Sequence, residues 1–159
     1  MLLFITRGRR DLVHLGVSAR PAAAWVWRQL IAATPWGRQP RYLVRDRDSV
    51  YGGDFVRRSR GLGIESLLTP VRAPRANAIA ERVVRTPRNE CLDHVIGVNE
   101  AHLRAVLGEF AAYYNVERPH RSLHLEPPVP AHRRAAPLAS RIHARPVLGG
   151  LHHVYEAAA

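Results

Sequence analysis

"RYLVRDRDSVYGGDF", Arg41–Phe55, joins a short apolar run to three aspartates, Asp46, Asp48 and Asp54, that fall within nine residues. If Tyr42–Val44 centre a buried strand, Asp46 stands just past its carboxyl end, where ligands gather in open α/β sheets. A carboxylate there offers hard oxygen to a divalent cation and leaves coordination positions open for phosphate. The competing account treats "DRDS" as a turn in which aspartates cap backbone N–H groups. On spacing alone the turn account is the stronger.

The surroundings read as a mixed α/β layer. Upstream, Leu2–Thr6 is a short apolar strand, "TRGRRD" a turn, and Asp11–Ser18 a second strand paired with the first as a hairpin. Pro21 suits the first position of a helix through "PAAAWVWRQLIAA". Downstream, Asp54 is expected to cap a short helix that Gly61 and Gly63 stop, and Ile64–Leu68 is a fourth strand. A basic loop, "TPVRAPRAN", leads into a helix carrying Glu81. Asn99 caps the next helix, whose apolar residues Leu103, Val106, Leu107, Phe110, Ala111 and Tyr114 keep a helical period. From about Ala131 the chain is rich in Arg, Ala and His and is expected to be poorly ordered. The organisation is therefore a core over residues 1–130 and a basic, flexible tail over 131–159.

Composition narrows the function classes. The 159 residues suit one domain with a tail, and 47% apolar content can bury a core. There are 24 basic and 13 acidic residues, for a formal charge of +11, and every basic residue is Arg. A polyanion, most often nucleic acid, is the matching partner. A genome with high GC content would also inflate Arg, Ala, Pro and Gly together, so part of the excess has that origin. The single cysteine, Cys91, excludes a disulfide framework and a Cys-based zinc site. His152-His153 read as part of a solvated tail rather than as a metal contact. No apolar run is long enough to span a membrane, and "MLLFITRGRR" places its charges after its apolar run, opposite to a signal peptide. A soluble cytoplasmic protein without membrane partners is the expectation.

Glu81 shifts the balance on Asp46. It follows by 35 positions, on a helical face that also carries Asn77 one turn before, and Arg85 and Arg88 one and two turns after. Guanidinium groups beside a carboxylate suit DNA phosphates. An ordinary solvated Glu/Arg face fits the same spacing.

The run from "RDRDSVYGGDF" through "TPVRAPRANAIAERVVRTPRNECLDH" to "YYNVERPHRSLHLEPP" resembles the integrase core of bacterial insertion-sequence transposases, relatives of retroviral integrases, over roughly Leu2–Pro130. The terminal "VLGGLHHVYEAA" is similar to a tail found in one group of them. The resemblance implies an RNase H-like mixed sheet with flanking helices. It also implies an Asp, Asp, Glu triad holding two Mg²⁺ or Mn²⁺ ions, of which Asp46 and Glu81 are the second and third members. Asp48 falls where relatives often have Gly, and Asp54 is better explained as a cap. Arg88 and Asn77 match family residues near the DNA and before the Glu, and Arg72 and Arg75 with Arg85 and Arg88 are expected to engage phosphates. Arg118, Pro119 and His120, in the signature "YNVERPH", are expected to form an ordered turn.

Two departures qualify that picture. The family's first Asp lies on a strand upstream of the hairpin, and that first strand is apparently missing here. Before Asp46 the only acidic residue is Asp11, at a hairpin end and a poor substitute. Two ions about 4 Å apart generally need a bridging carboxylate, so strand transfer is expected to be severely impaired. Pro87, six residues past Glu81, costs about 3 kcal/mol in a helix interior and is expected to kink or stop the helix near Thr86. The expected function is metal-dependent joining of DNA 3′-hydroxyl ends to target DNA, weakened by the incomplete triad. The alternative is a non-catalytic nucleic-acid-binding remnant, or a subunit that associates with itself or with full-length transposase.

Overall fold

The computed structural model describes residues 1–35, 37–71, 74–130 and 141–157; within 74–77 it describes the backbone alone. The chain is α/β, with the strands β1 (Leu2–Ile5), β2 (Leu12–Gly16), β3 (Tyr42–Arg45), β4 (Glu65–Leu68), β5 (Ile142–Val147) and β6 (His152–Ala157). Among the described residues there are four α-helices: α1 (Ala23–Ala33), α2 (Phe55–Gly61), α3 (Pro74–Glu90) and α4 (Glu100–Val116). Among the described residues the strands pair as three separate ladders, β1–β2, β3–β4 and β5–β6, rather than as one mixed sheet. The chain divides into two compact units, one of Met1–Phe4 with Val13–Val84 and one of Ile5–Leu12 with Arg85–Ala159.

In the first unit, α1 buries Val26, Leu30 and Ala33, one face at helical spacing. Val26 and Leu30 form the core with Phe55 of α2 and Ile64. α1 opens later than Pro21 predicts, because the carbonyl of Ala22 accepts the first helical bonds, from Trp25 N at 2.9 Å and Val26 N at 3.0 Å. β3 and β4 run parallel, with Tyr42 opposite Glu65 and Arg45 opposite Leu68. Parallel neighbours need a crossover, and α2 supplies it. α2 ends in a left-handed glycine: Gly63, at φ 74°, bonds back to Arg60 O at 2.9 Å, and Ile64 N reaches Ser59 O at 2.9 Å. That paired closure satisfies the last carbonyls and drops Ile64 into the core. The helix start differs from expectation. Asp54 occupies the cap position in helical conformation without a side-chain cap bond, and its carboxylate pairs with Arg57 at 3.1 Å instead.

In the second unit, Asn99 caps α4 as expected, accepting from His102 N at 2.8 Å. The buried residues of α4 are Leu107, Phe110 and Tyr114, the centre of the predicted stripe. The segment after α4 is tied down by side chains of the "YNVERPH" run. Asn115 accepts from Leu12 N at 2.8 Å and donates to Leu12 O at 2.9 Å, pairing with the backbone as a strand would. Arg118 meets Glu90, the last residue of α3, through two bonds of 2.6 and 2.5 Å. His120 is buried edge-on against Tyr114. Burial and the neighbouring Arg118 guanidinium push its pKa below the ordinary 6.5. Between its folded value and 6.5 the unfolded chain binds more protons, so this contribution to stability is complete above 6.5 and is lost on acidification. Thermal unfolding followed from pH 7 to 5 is expected to show a falling midpoint, with a shallower slope in His120→Asn. Equal slopes would rule out His120 as a source of acid sensitivity.

Two features of this unit add to the sequence reading. α3 runs on to Glu90 with Pro87 inside it. Pro87 stands in the last turn, where it forfeits a single backbone bond, and its ring is fully buried. The paired Glu90–Arg118 contact also anchors the residues that follow it. The expected flexible tail holds a hairpin over its described part: β5 and β6 are antiparallel, with Val147 opposite His152. Glu109 accepts from Leu148 N at 2.6 Å, Arg145 meets both Glu117 and Glu156, and His152 bonds the Glu90 carbonyl at 2.8 Å while stacking on Tyr113. His152 is thus a packing residue. Residues 131–140 lie outside the described residues.

Candidate metal and nucleic-acid site

The end of β3 is organised by Arg45. Its Nε donates to Ser66 Oγ at 3.0 Å and its Nη1 to the Asp46 carbonyl at 3.1 Å. The guanidinium lies over the rings of Tyr51 and Phe55, 4.6 and 5.1 Å from their centroids. A strand-end arginine thereby fixes the backbone on which Asp46 sits. Asp46 Oδ1 accepts from Asp48 N at 3.3 Å, and Asp48 Oδ1 accepts from Val50 N at 2.9 Å to cap the 3₁₀ turn Ser49–Tyr51. The turn account of "DRDS" is therefore right for Asp48 and half right for Asp46, whose Oδ2 has no protein donor among the described residues. The Tyr51 hydroxyl reports the local field. Burial first, then the negative charges of Asp46 and Asp48, outweigh the opposing Arg45 and push its pKa up to about 12.

Glu81 belongs to the same unit as Asp46. It is exposed on α3 and, among the described residues, no hydrogen bond or ion pair engages it. Arg85 and Arg88 are exposed on the same helix at i+4 and i+7. Arg88 meets Asp93 at 3.8 Å, with 74% and 54% of the two side chains exposed, a pair loose enough to exchange for a phosphate. Arg72 lies outside the described residues, as do the side chains of Arg75 and Asn77, whose backbone forms the first turn of α3. Asp11 accepts the hydroxyl of Thr6 across its own hairpin and falls in the other unit.

The donor chemistry of Asp46 and Glu81, exposed carboxylates with oxygen to spare, suits Mg²⁺ or Mn²⁺. The number of donors is the limit. Among the described residues no three His, Cys, Asp or Glu side chains cluster closely enough to hold a metal. Two anchoring contacts escaped the sequence reading, those of Arg45 and the Glu90–Arg118 pair. The pair is 28 positions apart, and one sequence carries no signal that joins them; "RNE" and "ERPH" at the ends of two amphipathic helices are the only hint.

No helix among the described residues is long and apolar enough to cross a membrane. No solved structure matches the chain. A protein described as "Insertion element IS476 uncharacterized 39.2 kDa protein", from Xanthomonas euvesicatoria, is 30% identical over 120 residues, covering 75% of this chain and 35% of its own length. The chain thus spans about a third of that relative. Residues 62–128, which take in β4, α3 with Glu81, and α4, match the integrase core domain family. That stretch, which contains Glu81 and "YNVERPH", is thus assigned to the integrase core domain family, and the chain around it is similar to a protein of an insertion element.

Proposed function

We propose that this chain acts on DNA as part of the transposition machinery of an insertion element. Its reaction class is metal-dependent phosphoryl transfer, joining DNA 3′-hydroxyl ends to target DNA. The observation that carries the reading is the exposed Glu81 on an integrase-core helix, without a partner among the described residues, with exposed Arg85 and Arg88 one and two turns on. Asp46 and Glu81 would hold Mg²⁺ or Mn²⁺, and the bound cation supplies positive charge to the oxygens of the reacting phosphodiester. The chain's own residues do the rest. Arg85 and Arg88 seat backbone phosphates, Arg72 and Arg75 extend that basic track, Asn77 lies beside the DNA, and Arg45 keeps Asp46 at the strand end. The RNase H-like arrangement of the parent fold is part of this proposal.

Among the described residues no third carboxylate clusters with these two, which favours a second element of the reading. Acting alone, the chain binds DNA without joining it, and joining requires association with full-length transposase or with further copies. Binding is dominated by phosphate contacts, so it is nonspecific and salt-sensitive. The test is fluorescence anisotropy on a duplex across a salt series. Arg85→Ala with Arg88→Ala is expected to weaken binding by a similar factor on every sequence and to reduce the slope of log K against log salt by about 2. An unchanged slope would remove α3 from the DNA interface.

A further inference from the structure

Beside the Asp46 turn, in the first unit, lies a surface cavity of about 200 Å³. Trp27, Tyr51 and Phe55 line it with aromatic surface, Arg58 and Asp54 stand at its edge, and Gly53 forms part of its wall. Its size falls well below the roughly 300–1,000 Å³ of a pocket for a drug-sized ligand, so the occupant is a single ring system. Its chemistry is that of a planar, hydrogen-bonding heterocycle. The rings of Trp27 and Tyr51 meet the buried Phe55 edge-on, at 6.2 and 5.0 Å between centroids. The Arg58 guanidinium lies 5.7 Å from the Trp27 ring and has no acceptor among the described residues. Asp54 gives Oδ1 to Arg57, and its Oδ2 is left without a partner among the described residues. A flat ring with both N–H donors, for Asp54, and ring-nitrogen or carbonyl acceptors, for Arg58, would satisfy both orphaned groups. It could stack against the guanidinium or the aromatic wall while donating to Asp54.

We infer that this cavity receives one unpaired nucleobase from a DNA strand lying beside Asp46. The inference rests on the DNA-binding reading above and deepens it, by naming a contact that phosphates cannot make. A surplus charge of +11 draws the polyanion in, and stacking on aromatic and guanidinium planes holds an unpaired base with little regard to its identity. Proximity to the carboxylate follows from Tyr51, which lines the cavity and feels the charge of Asp46. A base lodged there would hold its own strand next to that carboxylate.

The test uses the full chain and three oligonucleotides: a blunt duplex, the same duplex with one unpaired 2-aminopurine at an end, and the same duplex with an abasic residue in its place. The unpaired base is expected to bind about 5–10-fold more tightly than the abasic end, the gain of one stacked base, with its fluorescence quenched. Gly53→Leu fills the cavity from its wall. A Cβ at Gly53 meets nothing within 4 Å, so the substitution spares the core. It is expected to abolish both the preference and the quenching while leaving blunt-duplex affinity unchanged. Arg58→Gln should reduce the preference. Equal affinity for the unpaired base and the abasic end, with good binding of the blunt duplex, would overturn the inference and leave the DNA reading standing. Failure to bind any of the three would overturn both. A preference that survives Gly53→Leu would place the base elsewhere and overturn the cavity as its site.

Discussion

Arg118→Ala is expected to lower the unfolding free energy by about 2–3 kcal/mol, the largest effect of any single substitution away from the hydrophobic core. Arg118 makes two charge-assisted bonds to Glu90, with only 23% and 31% of the two side chains exposed. Truncating it strands a half-buried carboxylate at the end of α3. Arg118 also sits against the Tyr114 ring and reaches the His120 imidazole, so the loss spreads into the segment after α4. Urea unfolding measures the change, and a cycle with Glu90→Gln isolates the pair. Arg118→Lys keeps the charge but cannot offer the planar fork, and should recover less than half of the loss. A change below about 0.5 kcal/mol, the range of an exposed pair, would show that this contact does not anchor the last turn of α3.

Asp46→Asn and Glu81→Gln should each weaken Mn²⁺ binding by more than about tenfold, since disturbing even an outer-sphere partner of a metal typically costs 10–100-fold. Both residues are exposed, and both replacements keep the side-chain shape. Stability without metal is therefore expected to stay within about 0.5 kcal/mol of the parent. The expected signature is a thermal midpoint that rises with Mn²⁺ in the parent, by mass action, and does not rise in either variant. Asp48→Asn serves as the control. Its carboxylate caps the Ser49–Tyr51 turn, so it should alter stability slightly and leave the metal response in place. A metal response that persists in both variants would mean that the ion is bound elsewhere.

How much could be read without the fold varies with the kind of residue. The existence of strands β3 and β4 and the Leu107, Phe110, Tyr114 stripe followed from apolar runs and periodicity, which local sequence carries; the parallel pairing of the two strands did not. The Asn99 cap followed from a side chain bonding within its own turn. The differences arise where other residues, some near and some distant along the chain, decide. Pro87 looked like a helix stop because its local cost is plain, whereas its burial and the anchoring of Glu90 by Arg118 are not local. Asp54 looked like a cap, yet Arg57, one turn on, takes its carboxylate. The terminal hairpin looked disordered because five of the six residues of β5 are exposed and show no alternation. The Gly149-Gly150 pair, both at positive φ between two short β-rich runs, was the hairpin signal that the Arg-rich composition obscured. At the candidate site, Asp46 and Glu81 were legible as separate carboxylates, each beside its own cations. Whether they act as one site is the claim on which the functional reading turns.

Paramagnetic Mn²⁺ titrated into isotopically labelled protein tests that claim most directly, because an ion broadens the amide signals around it whatever the activity. The account predicts that broadening at low Mn²⁺ appears together at the end of β3, around Asp46–Asp48, and in the middle of α3, around Glu81. Broadening confined to one of the two segments, or centred on His152 and His153 instead, would contradict it.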